Sequence, residues 1–350
     1  MMQKETSPPE KLELKVIAFI FAAFLSGCLV VGGLFTFHTD KLFVQSEINK
    51  LEYSARLVAP RFTETYSNIS QDVSLLAKMP PIKGIMRARY NDGKDPFDGS
   101  TEQLWRDRLA TIFTSMLKLR PNYAQIRYIG AEDDGKEIVR VDRRGGEIIR
   151  RPEGALQSKA DEPYFKEVLR LPLGELYFSD ITLNRENGKI SFPHEPMLRV
   201  GTPVYNDEGK AFGFVIINIS YWSFIQDLHE RFAGSKNLYV VNAKGQYLVH
   251  PDPRKEFGFE RGRGATVEED FPELQSLRGD FSKGVGFFNE NARKYAYYFQ
   301  VPYDDVNPDH FLGILLTLPE DVALRQSHGV LTIMITVLGV LLAMFAMCRV

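Results

Sequence analysis

Cysteine is almost missing from this sequence. Cys28 and Cys348 are the only two, and each sits in an uncharged apolar run. The region between those runs therefore has no disulfide, no thiol nucleophile and no C-x-x-C zinc or redox pair. Histidine is also scarce, and His194, His250, His310 and His328 are too scattered for metal-ligand spacing. Positive charge is not in excess: 43 Lys and Arg face 45 Asp and Glu, a net charge of -2. Without a basic face, nucleic acid is not an expected partner. Catalytic signatures are absent as well: no G-x-S-x-G elbow, no H-E-x-x-H, no G-x-x-x-x-G-K-[ST] loop. The RGRG glycines, Gly262 and Gly264, lack the helix that a dinucleotide loop requires. The expectation is a non-enzyme in the residues present, with no catalytic residue, no metal and no cofactor.

Two long apolar runs stand out against this background. Val16 to Phe37 has 22 residues without a charge, and Val330 to Cys348 has 19. At about 1.5 Å per residue, each approaches the thickness of a hydrocarbon core of roughly 30 Å. Lys4, Lys11 and Lys15 precede the first run and Arg349 follows the second. Basic flanks favour the cytoplasmic side, so both termini are expected inside and residues from about 38 to 328 outside. Leu25-Ser26-Gly27-Cys28 also matches a lipobox. The chain stays apolar for nine residues past Cys28, which favours an uncleaved span.

Between the runs the patterning is α+β. Residues 38–120 read as an N-terminal helical stalk. Leu42, Phe43, Ile48, Leu51, Leu57, Val58, Phe62, Ile69, Val73 and Leu76 recur at helical spacing. Pro60 marks a kink or a restart, Pro80-Pro81 a break, and Thr101 to Leu119 a second helix. Strands are expected at Tyr123–Ile129, Glu137–Val141, Glu175–Ile181, Met197–Tyr205 and Phe212–Ile219, with a short helix over Glu162–Leu169. A helix over Tyr221–Phe232 closes this module, 121–232. A second module, 233–318, repeats the order. Its strands are Leu238–Val241, Gln246–His250, Gly284–Asn289, Arg293–Gln300 and Phe311–Leu318. The endings GFVIINISYWSFI and LGILLTLPEDVAL match in pattern, which points to two tandem modules with antiparallel sheets. From Pro319 a helix without a further proline leads through 319–350 into the second apolar run.

The runs YAQIRYIGAEDDGKEIVRVDR and LQSKADEPYFKEVLRLPLGELYFSDITLNRENGKISFPHEPMLRVGTPVYNDEGKAFGFVIINI resemble the double Cache (PAS-like) extracytoplasmic sensor of bacterial membrane histidine kinases and diguanylate cyclases. The resemblance is strong over about 120 to 220 and follows only the order of elements elsewhere. It implies a signalling receptor of two-component type in the bacterial inner membrane, homodimeric along its N-terminal helix. The membrane-distal module would hold a small ligand, and any kinase or cyclase activity would belong to a cytoplasmic output domain outside these residues.

The resemblance places the pocket between the sheet and a covering helix and loop, here Leu156 to Ile181. Within that frame Tyr164 offers a ring and a hydroxyl. Asp180 offers a carboxylate for an amine, while Arg199 and Arg127 offer carboxylate clamps. Gln157 and Lys159 add polar contacts. Each has a plain structural alternative: core packing for Tyr164, a turn cap for Asp180, surface charge for the cations. The Tyr-x-x-Arg-x-Trp-Tyr pattern of amino-acid sensors is absent, so a carboxylate, an amino acid or another metabolite are all open. The rival is a protein-binding module with no enclosed polar pocket.

Overall fold

The computed structural model describes residues 8–186, 188–231, 237–277, 281, 284–304, 307, 309–325, 329, 332–333, 335–337, 339–340 and 343. It begins with α1, Pro8–Ala77, a single helix of 70 residues that carries Pro60 in its interior. The break expected at Pro80-Pro81 is there: α1 ends at Ala77, and the two prolines open α2, Pro80–Arg89. Proline's fixed φ and missing N–H suit that position. α3, Glu102–Leu119, starts where expected, with the Thr101 hydroxyl accepting the Leu104 N–H at 3.2 Å. Gly84 lets α2 approach α3 closely, because a Cβ there would lie 2.3 Å from the Trp105 ring.

The strands then follow: β1 Tyr123–Gly130, β2 Glu137–Arg144 and β3 Glu147–Arg150, then helix α4 Pro163–Arg170. β4 Tyr177–Phe178, β5 Thr182–Leu183, β6 Arg185–Glu186, β7 Lys189–Ile190, β8 Pro196–Tyr205 and β9 Ala211–Ser220 complete the first module, with helix α5 Trp222–Arg231. A seven-stranded sheet runs in the order β3-β2-β1-β9-β8-β4, with β5 also on β8. Its pairings are antiparallel. β1, β8 and β9 are buried almost throughout, as strands covered on both faces must be.

β5, β6 and β7 were not expected from the sequence, and two further departures have a visible local cause. β3 was not expected; it folds back through Gly145 and Gly146 at φ of 57° and 87°, the left-handed pair that a tight hairpin turn needs. The strand expected over Glu175–Ile181 is cut to β4. Beyond it the Ser179 N–H still donates to the Arg199 carbonyl at 2.9 Å, but the Arg199 N–H goes to the Ser179 hydroxyl at 2.9 Å, so a side chain takes one of the two backbone bonds.

A second, five-stranded sheet has the order β11-β10-β14-β13-β12. Its strands are β10 Asn237–Val241, β11 Tyr247–Val249, β12 Val285–Asn289, β13 Lys294–Pro302 and β14 Phe311–Pro319. Short helices α6 Val267–Asp270, α7 Glu273–Ser276 and α8 Glu320–Ala323 accompany it.

By internal contacts the chain forms two units. The larger comprises the described residues of Ser54–Phe287 and Tyr297–Leu316, including the whole seven-stranded sheet. The smaller comprises those of Met1–Tyr53, Phe288–Ala296 and Thr317–Val350. Inside the smaller unit the Phe288 and Tyr295 rings lie 4.8 Å apart, and Arg293 pairs with Glu320. Among the described residues no helix is long and apolar enough to cross a membrane. The expected span 330–348 and the unbroken helix from Pro319 fall largely outside the described residues, as does the end of the helix expected to reach Phe232.

Candidate functional site

Antiparallel register decides which side chains of the seven-stranded sheet meet. Asp142 pairs with Gln125, Gln125 with Asn218, and Asn218 with Arg199. Cross-strand partners share a face, so these four form one polar row across β2, β1, β9 and β8. Arg140 pairs with Arg127 in the next row of the same face. A bulge between Tyr128 and Ile129 then brings Glu137 opposite Ile129, although it stands three residues from Arg140. Regular alternation would have sent Glu137 to the other face; the extra residue re-aims it. α4 covers this face, with Tyr164 and Val168 packed among Ile129, Phe214 and Ile216.

Hydrogen bonds link three members of the row, and Arg127 joins them from the next row. Gln125 Nε2 donates to Asp142 Oδ1 at 2.8 Å, Asn218 Nδ2 to Gln125 Oε1 at 3.2 Å, and Arg127 Nη2 to Asn218 Oδ1 at 2.9 Å. Arg127 Nη1 donates to the Tyr164 hydroxyl at 3.0 Å, and its Cζ lies 5.6 Å from the Tyr164 ring centre. Such a chain costs little while every member is satisfied and much when one is not. One member is not: Arg127 Nε is buried without a partner.

Charge is unevenly compensated. Arg140 grips Asp142 through two bonds, of 2.8 and 3.0 Å, and Arg151 reaches the same carboxylate at 2.6 Å. Glu137, fully buried, lies 3.4 Å from Arg140 and 3.6 Å from Arg127, and accepts the Gln157 N–H at 3.0 Å. Lys159 Nζ donates to Gln157 Oε1 at 2.8 Å and lies 3.8 Å from Glu162. Arg199 is buried, and its Nη1 donates to the Thr182 hydroxyl at 2.8 Å. It has no carboxylate partner among the described residues. Burial, and then the Arg127 charge, push the Lys159 ammonium down from its ordinary pKa. The same two causes, in the same order, lower Arg199. Burial raises the Tyr164 hydroxyl, with Arg127 opposing.

The structure thus gathers Arg127, Tyr164, Arg199, Gln157 and Lys159 between α4, its leading loop and the sheet. It does not bring in Asp180, whose carboxylate accepts from Lys244 at 3.1 Å on a more exposed surface. Asn218, Gln125, Glu137, Arg140 and Asp142 were missed by the sequence reading. Their signal was present: Gln125 and Arg127, like Arg140 and Asp142, alternate with apolar neighbours, and Asn218 interrupts an apolar strand. A cavity of about 250 Å³ opens on the row at Gln125, Asp142, Asn218 and Met197, and Arg144 and Phe192 also line it. That is near the small end for ligand pockets.

Next to Arg199 runs a short strap, 180–185. Thr182 takes the Arg199 bond, Leu183 N–H donates to Glu260 Oε1, and Arg185 Nη2 pairs with Glu260 Oε2 at 2.9 Å. Glu260 belongs to a 3-10 turn, Gly258–Arg261. The strap therefore touches the Arg199 end of the polar row on one side and the second module on the other.

Solved structures share this fold. An extracellular domain assigned to a histidine kinase, vpHK1S-Z8, is 16% identical with a TM-score of 0.65, covering 81% of this chain and 95% of that one. A domain of a sensory box/GGDEF family protein from Vibrio parahaemolyticus is 16% identical at 0.65, covering 80% and 99%. The sensory domain of the Campylobacter jejuni chemoreceptor Tlp3, solved with isoleucine bound, is 12% identical at 0.50, covering 81% and 97%. No curated protein sequence matches the chain. The resemblance to Cache sensors read from the sequence is borne out by these folds and by the model of the bacterial histidine kinase sensor domain, which matches residues 96–291. With more than half its length so matched, the chain belongs to the family of bacterial histidine kinase sensor domains.

Proposed function

We propose that this chain is the extracytoplasmic sensing region of a receptor in the bacterial inner membrane, and that a small molecule binds in the module of the seven-stranded sheet. The observation that carries the reading is the buried guanidinium of Arg199, bonded to the neutral Thr182 hydroxyl, with the like charge of Arg127 acting on it and no carboxylate within ion-pair distance among the described residues. A buried charge without its counter-ion is costly in a domain that only folds, and is useful in one that recruits a ligand. The Campylobacter jejuni neighbour, solved with isoleucine, adds the fold-level parallel.

Signal leaves the site through the strap: a ligand that takes Arg199 from Thr182 shifts a segment already bonded to Glu260. The C-terminal helix then carries the change across the membrane. A ligand does this only through its different affinity for the two states. The outer region performs no chemistry of its own, and two chains pair along α1, where Tyr53 and Leu57 are exposed.

The test is a thermal-shift and calorimetric screen of the full chain, in detergent or nanodiscs, against a broad metabolite library. At least one small molecule should raise the melting temperature. Arg199→Ala should weaken its binding about 10- to 100-fold, the worth of a lost charge-assisted bond. Silence across the whole library would reject the receptor reading in favour of a protein-binding surface.

A further inference from the structure

A second cavity, of about 430 Å³, lies where the two modules meet within the larger unit. Its wall takes Leu183 from the strap, Trp222 and Ile225 from α5, and Phe257 and Arg261 from the second module. Leu183, Ile225 and Phe257 are buried, whereas Trp222 keeps 49% of its surface exposed. The smaller cavity on the polar row adjoins this one through Pro193 and Glu195, but none of Leu183, Trp222, Ile225 or Phe257 lines it. Size, composition and place suit an organic ligand. Pockets for small molecules run from about 300 to 1,000 Å³, are mostly apolar and favour junctions between domains.

The charged groups on the wall decide what it admits. Two carboxylates, Glu195 and Glu256, face one guanidinium, Arg261. Arg261 Nη2 donates to the main-chain carbonyls of Arg254, at 3.3 Å, and Glu256, and its charge already acts on the Glu256 carboxylate. Arg144 acts on Glu195 from outside the cavity, and it also lies 3.9 Å from Asp142. Pro193, Pro196 and Pro253 have no N–H to offer. Burial raises the carboxyls of both Glu195 and Glu256, the direction expected beside an apolar wall. A ligand carboxylate would meet more negative charge here than positive.

We infer that this junction binds a small uncharged ring compound, aromatic or alicyclic, and discriminates against its carboxylated analogue. Leu183, Ile225 and Phe257 provide the apolar contact, and the Trp222 indole provides a face for offset stacking. The occupant touches both segments that Glu260 joins, the strap at Leu183 and the second module at Phe257 and Arg261. It is therefore a second input beside the polar row, and its binding does not depend on Arg199.

Matched pairs test the class: benzyl alcohol, p-cresol and cyclohexanol against benzoate, p-toluate and cyclohexanecarboxylate. They are titrated onto the full chain in nanodiscs by calorimetry, with empty nanodiscs subtracted. The best neutral compound should saturate and bind at least ten-fold more tightly than its carboxylated partner. Trp222→Ala should weaken it about two- to ten-fold, the worth of an aromatic contact. Amide exchange of the wild type, which needs no variant to fold, should slow in the strap, at the start of α5 and over Phe257–Arg261. Any of three results overturns the inference: no saturable binding beyond the empty nanodiscs, a carboxylated partner that binds as tightly, or protection confined to other elements. Arg199→Ala, which tests the receptor reading, should leave ring binding unchanged, so the two readings fail separately. Loss of ring binding in Arg199→Ala would move the compound to the polar row and overturn the junction site.

Discussion

At the scale of single residues, Asn218 decides whether the polar row is one network or two fragments. Its amide donates to Gln125 and accepts from Arg127, and all three are buried. Asn218→Ala leaves Gln125 Oε1 and Arg127 Nη2 without these partners, at an expected cost of about 1–3 kcal/mol. Urea unfolding should show this as a lower midpoint at unchanged slope. A second residue-level expectation concerns acid. Arg87 bonds Asp95 at 2.9 and 2.6 Å and holds its carboxyl at about 2, below the ordinary 3.8. A carboxylate with a depressed folded pKa stabilises fully above its unfolded value, and loses that contribution as pH falls through the folded one. The stability gap between wild type and Arg87→Ala should therefore be complete above about pH 4 and close as pH drops toward about 2. A gap independent of pH over that window would mean that Arg87 acts through packing alone.

At the scale of elements, the strap 180–185 is fixed to the sheet where β5 pairs with β8, and reaches the second module through an exposed pair, Asp180 to Lys244, and through Arg185 and the Leu183 N–H to the buried carboxylate of Glu260. The exposed pair contributes roughly 0–1 kcal/mol, so the proposed route runs through Glu260. Hydrogen exchange tests the proposed route directly. Ligand should slow exchange in both the strap and Gly258–Arg261 of the wild type. In Glu260→Ala the protection should persist in the strap and vanish from the turn. Equal protection of both segments in the variant would place the route elsewhere.

At the scale of the whole molecule, α1 leaves Phe19, Ile20, Phe24, Val30, Val31, Leu34 and Phe37 exposed, from 56% to 75% of their surface. A contiguous apolar surface of this kind is not left in water by a soluble domain. The full chain should therefore pellet with membranes and resist alkaline carbonate extraction, while removal of residues 8–37 should weaken that attachment. Ready extraction of the full chain by carbonate would contradict the span expected from sequence over Val16 to Phe37.

Local chemistry is what the sequence alone determined. The helix opened by Thr101 and the long apolar strand containing VIINI depend on near neighbours, so each was legible one residue at a time. The α+β class and the Cache resemblance came the same way. Register was not legible, because pairing joins residues far apart in the chain: Arg127 meets Asn218 across 91 positions and Tyr164 across 37. Only the tertiary structure put Asp142, Gln125, Asn218 and Arg199 in one row, used a bulge to turn Glu137 inward, and turned Asp180 outward to Lys244. Side-chain types can be read from a list of letters. Which of them meet, and which charges are paired, depends on who stands beside whom.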